Sequence, residues 1–139
     1  MGEGNIMLFK RAQITSYGNE LVQRAAVGSG VLDNVTIAVA PDSATTLTVT
    51  QMSGGAIICT PTAGRSYTTP TAALILASAP DMDIGDSFAF TLSVLAAFAI
   101  TWVAGSNVTL AGRPTVPASS NATIIVTKTS ATAVTWTSL

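Results

Sequence analysis

Residues Phe88–Gly105 read FAFTLSVLAAFAITWVAG, an uncharged run of the length of a membrane-spanning helix. Its internal order is that of a sheet. Phe88, Phe90, Leu92 and Val94 recur at every second position, and so do Phe98, Ile100 and Trp102, with Thr91, Ser93 and Thr101 between them. No cluster of Lys or Arg flanks either end. A period of two with hydroxyls on the second face predicts two strands joined near Ala96-Ala97, not a helix in a bilayer.

The same texture extends outward. Val35–Ala40 (VTIAVA) ends at the turn signal Pro41-Asp42-Ser43, and Thr45–Gln51 (TTLTVTQ) alternates around Leu47 and Val49. Gly54-Gly55 turns the chain into the short apolar strand Ala56–Thr60. Asn107–Leu110, Ala122–Lys128 and Ala133–Leu139 follow, the last two spaced as a hairpin. Thr69–Ala79 departs from this pattern. Thr69 is placed to cap, Pro70 suits a first helical position, good helix formers follow, and Pro80 stops the run. One helix of two to three turns is predicted, with Leu74 and Ile75 or Leu76 on the sheet edge. Gly64, Gly85, Gly105 and Gly112 stand where turns call for positive φ or a close approach of chains. The expected fold is all-β: an antiparallel β-sandwich or barrel, jelly-roll-like, with one short helix. Residues 1–30 are read either as an N-terminal arm that orders on a partner or as an edge strand of the same domain, and residues 31–139 as the sandwich domain, divided at Gly28-Ser29-Gly30.

Composition narrows the function. Charged residues make up 9% of the 139-residue chain, against roughly 25% in ordinary soluble domains. Mean hydropathy is +0.52. So little charge cannot cover the surface of a solitary protomer, and with a membrane set aside, neighbouring subunits are expected to cover part of it. The six basic residues are scattered, with no stripe to follow a phosphate backbone, so nucleic acid is not an expected partner. The start at Met1, with no long apolar run behind the first positive charges, leads to the expectation of a complete chain without a secretory signal, made in a cytoplasm.

Chemistry has little to work with. The chain has no histidine, which removes the usual triads and histidine-ligated metals. Cys59, the single cysteine, reads as a small buried strand residue. Asp81–Asp86 (DMDIGD) resembles a calcium loop on paper but lacks its frame. Counted from Asp81, the fifth position is Gly85, the sixth is Asp86 and the twelfth is Leu92, where an EF-hand loop needs an oxygen ligand, a glycine and a bidentate glutamate. A turn with Asp86 or Ser87 bonded to local backbone is the expectation, and neither a cofactor nor enzymatic activity is expected. Arg65, in Ala63-Gly64-Arg65-Ser66, is read as bracing a turn or pairing with an aspartate across a subunit contact. Trp102 and Trp136 are large anchors, either in the core or with at least one at a subunit boundary.

From Thr62 to the end, several pieces together carry a family resemblance: AGR before TTPTAA, then IGDSFAF, VAGSNVTLAG, VPASSNATIIV and the closing SATAVTW. This part resembles the small capsid decoration (cement) and head-fibre proteins of tailed bacteriophages, and related modules in tail fibres. The resemblance implies a β-rich structural protein of the virion, often trimeric, whose partners are the major capsid protein and copies of itself. On this expectation Lys10, Arg11 and Arg24 of the arm meet carboxylates on the shell, while Arg65, Trp102 and Trp136 serve the subunit interface. The alternative is a receptor- or glycan-binding module of a phage fibre, for which Tyr67 or Trp136 would supply the exposed aromatic ring.

Overall fold

A computed structural model describes residues 35–139. Lys10, Arg11 and Arg24, with the rest of the expected arm, lie outside the described residues. The strands are β1 (Thr36–Val39), β2 (Thr45–Thr46), β3 (Gly55–Cys59), β4 (Arg65–Thr68), β5 (Ser87–Val94), β6 (Ile100–Val103), β7 (Val108–Gly112), β8 (Thr115–Val116), β9 (Asn121–Lys128) and β10 (Val134–Ser138). Two short helices interrupt them, α1 (Val49–Ser53) and α2 (Ala72–Ser78).

The strands form a six-stranded sheet, ordered β1-β3-β5-β9-β10-β7, and a four-stranded sheet, ordered β2-β4-β6-β8. From β1 to β8 the chain alternates between the sheets at every strand. Up to β6, and again at β7, each return to a sheet follows a full circuit and runs in the same direction as before; the return at β8 reverses direction. The circuits make β1/β3, β3/β5, β2/β4 and β4/β6 parallel, as β10/β7 also is. Only β5/β9, β9/β10 and β6/β8 are antiparallel. The expected mainly-β architecture is present, but the antiparallel, jelly-roll-like or barrel form is not: the sheets are mixed and do not close into a barrel. The two strands predicted within Phe88–Gly105 exist as β5 and β6, yet they belong to different sheets. No helix among the described residues is long and apolar enough to cross a membrane.

The inner faces of the two sheets share one core. Ile57 and Cys59 of β3, Phe90, Leu92 and Val94 of β5, Ile124 and Val126 of β9, and Val134 and Trp136 of β10 line one side. Tyr67 of β4, Ile100 and Trp102 of β6, and Val116 of β8 line the other. Trp136 is the hinge of this packing. Its ring meets those of Phe90 and Trp102 edge-on, each at 5.3 Å between centroids, so one contact lies within the larger sheet and the other spans the sheets.

Both helices lie on crossovers from the smaller sheet back to the larger. α1 occupies sequence expected to continue a strand. Thr48 and Gln51 form a reciprocal capping box: the Thr48 hydroxyl accepts from Gln51 N–H at 3.2 Å, and Gln51 Oε1 accepts from Thr48 N–H at 2.8 Å. That local bond set outweighs the β preference of Thr and Val. α2 starts later than predicted. Its cap is Thr71, not Thr69, and Pro70 precedes the helix. The Thr69 hydroxyl is buried, donating to Pro70 C=O and accepting from Gly105 N–H. Ile75 faces the core while Leu74 is exposed, which corrects the packing expected of Leu74. Gly85 and Gly112 adopt φ of +100° and +77°, and at Gly105 an added Cβ would stand 2.6 Å from Thr69 O; Gly64 shows neither feature.

Candidate interaction surface

Among the described residues, charge is confined to the turns and strand ends. Asp42 follows β1, Arg65 opens β4, Asp81, Asp83 and Asp86 precede β5, Arg113 follows β7, and Lys128 closes β9. The three cations among the described residues are engaged inside the chain. Arg65 Nε donates to Asp42 Oδ1 at 2.7 Å, Arg113 donates to Leu139 O at 2.7 Å, and Lys128 Nζ donates to Met82 O at 2.8 Å. The Arg65 pair belongs to a knot in which Thr62 also donates, through its N–H and its hydroxyl, to the Asp42 carboxylate. The Arg65 guanidinium, with the Thr62 donors behind it, holds the Asp42 carboxyl well below the usual carboxylate range. The aspartate that Arg65 meets here is in its own chain, and the pair braces the β1–β2 turn against the start of β4.

The aromatic candidates are interior. Trp102 and Trp136 are buried at 4% and 0% exposure, and Tyr67 at 0%. The core reading of the tryptophans therefore replaces their placement at a subunit boundary. Neither Tyr67 nor Trp136 can present a ring to a sugar. Tyr67 donates its hydroxyl to Pro41 O at 3.1 Å, and burial pushes its phenol pKa well up. Cys59 is free and buried, its thiol pushed up by desolvation. In the acidic hexamer, the Asp86 carboxylate accepts from Asp83 N–H at 2.9 Å and Gly85 N–H donates to Lys128 O, which makes the segment a turn stitched to β9. No three acidic or sulfur ligands converge on a metal position among the described residues.

What remains outside is a pair of uncharged sheet faces. The register across the larger sheet sets Ile37, Ala56, Thr91 and Thr123 in one outward row, and Val39, Ile58, Ser93 and Asn121 in the next. Nearer the other edge stand Ala89, Ile125, Thr137 and Ala111, then Ser87, Thr127, Thr135 and Thr109. The outward positions of the smaller sheet include Ser66, Thr68, Thr101, Val103 and Thr115. None of these residues is charged. An apolar cleft of about 250 Å³ opens beside the helices, lined by Val49, Met52, Ala79, Met82 and Phe88 with three serines at its rim. Two of those hydroxyls, Ser53 and Ser78, bond backbone carbonyls, and the third, Ser87, bonds Thr127.

The outward Val35, Ile37 and Val39 were not singled out from the sequence. In VTIAVA the larger residues would be placed inward by size, yet they are 64%, 60% and 66% exposed while Ala38 and Ala40 pack inward. The start of β1 is held directly against the end of α1: Gly54, the residue that caps α1, accepts from Thr36 N–H at 2.9 Å and could not carry a Cβ without meeting Thr36 O at 2.2 Å. No known protein family, curated protein or solved structure matches the chain.

Proposed function

We propose that the protein is a structural component of a bacteriophage virion, a decoration or cement protein that binds and stabilises the capsid as a homotrimer. One observation supports this most directly: two β-sheets with uncharged outward faces, with every described cation already satisfied internally. A surface of this kind is stable when covered by other protein, and covering it costs no desolvation of charge. Burial then contributes roughly 25 cal/mol per Å² before the cost of association. Repetition of the contact about an axis multiplies a modest single interaction into firm attachment on the shell. The protein carries out no catalysis in this role and requires no cofactor. The glycan-binding alternative loses the two rings on which it depended, since both are buried.

The test is mass in solution by light scattering, followed by co-sedimentation with capsids assembled without the protein. The expected outcome is a trimer that pellets with capsids in a fixed, saturable ratio. A trimer that stays in the supernatant at every capsid concentration rules out decoration.

A further inference from the structure

We propose that the open edge of β1, with the stripe formed by Val35, Ile37 and Val39, is the seam at which one copy of this chain meets the next. Thr36 N–H donates to Gly54 O and Ala40 N–H to Ile58 O, both at 2.9 Å. In a parallel pair the bonded groups alternate, so the backbone N–H and C=O of Ile37 and Val39 point away from β3. Among the described residues nothing pairs with that side. The residues with outward backbone groups are therefore the ones with exposed large apolar side chains.

Edge strands of soluble proteins are normally protected by a lysine, a proline, a bulge or a covering element. β1 has no charged residue, no proline and an uninterrupted register with β3. Among the described residues nothing covers this edge, which is a template for another strand.

Charge and size select the occupant. A differently built partner is usually matched and steered by opposite charge, and this region offers none. A second copy presents the same uncharged sheet face, so a contact between such faces opposes no like charges. A four-residue edge also falls well short of the roughly 800 Å² per partner that a stable pair buries. The contact must continue from β1 onto the rows through Ile58, Thr91 and Thr123, which are uncharged and cost little to dehydrate. This inference rests on the chain being self-associating, as the decoration role requires.

The experiment uses the full-length protein, the double variant Ile37→Lys/Val39→Lys, and Thr101→Lys on the other sheet's outward face as control. Native protein and control are expected to have the mass of three chains, and the double variant that of one chain of 14.1 kDa, with a cooperative melt retained. A double variant with the native mass overturns the seam, and so does a monomeric native protein. Hydrogen exchange on the native protein provides a second measurement that does not depend on the variant folding. Amides of Ile37 and Val39 are expected to be protected at high concentration and to lose protection on dilution. Protection independent of concentration assigns the edge to the chain's own preceding residues, and absence of protection leaves the edge open; either overturns the proposal. Capsid co-sedimentation runs in parallel. A native trimer that ignores capsids, with a monomeric double variant, supports the seam while removing decoration, whereas a double variant that stays trimeric and still pellets does the reverse.

Discussion

Asp42 shows how a single side chain sets a pH dependence here. Its carboxyl is held below the ordinary range by Arg65 first and Thr62 second. A depressed carboxyl contributes stability above the unfolded-state value of about 3.9 and loses it as pH falls through the folded value. Asp42→Asn is therefore expected to lower the thermal midpoint slightly near neutrality, with the gap to the native protein closing below about pH 4. The effect is small because solvent screens the pair. Melting curves of both proteins across that range check the sign. Gly112 is the stricter position. Its φ is +77°, and a Cβ would stand 2.1 Å from Ser138 O on the neighbouring strand. Gly112→Ala is expected to cost at least about 1–3 kcal/mol, read as a shift in urea midpoint. Native-like stability in that variant would contradict the β7/β10 register.

At the scale of elements, α1 shows which signals the sequence carried openly and which it carried under competition. The Thr48–Gln51 capping box is visible in TTLTVTQ, but the alternation of Thr with Leu47 and Val49 points to a strand, and only the folded crossover decides between them. Thr48→Ala is expected to cost about 1 kcal/mol and to speed exchange of the α1 amides while β9 stays protected. Uniform exchange across both elements would mean that α1 is not a separate local unit. Strands β5, β9 and β10 were readable because one side of each is buried and the other hydroxylated, so their periodicity survives in the sequence. The direction of pairing was not readable. A turn signal marks where a strand ends but not which sheet the next one joins, and alternation between two sheets converts expected antiparallel neighbours into parallel ones. β8, with Thr115 and Val116 alone between two prolines, is too short to show any period.

For the whole molecule, scarcity of charge was legible from composition, but its arrangement was not. Only the fold shows that Asp42, Arg65, Arg113 and Lys128 sit at the rims and that both sheet faces are left to Thr, Ser, Ala and aliphatic residues. The stripe on β1 was hidden for a related reason, because the side a strand shows to solvent depends on what packs behind it. An assembly held by such faces should be indifferent to ionic strength. The light-scattering mass of the native protein is expected to be unchanged from low salt to about 1 M, where the screening length falls to about 3 Å. Dissociation by salt would instead locate the association in ion pairs.

The order of strands in the larger sheet also bears on how the polypeptide is made. β9 and β10 are the last strands in sequence, yet they stand between β5 and β7, in the middle of the sheet. While residues 121–138 are still being synthesised, β5 lacks one neighbour and β7 has no partner in the sheet at all. The nascent chain on the ribosome therefore holds a gap where the finished protein is most tightly built. Completion waits for a late hairpin to wedge into place, a non-local step of the slow kind, during which chaperone shielding of the unfilled centre would matter most.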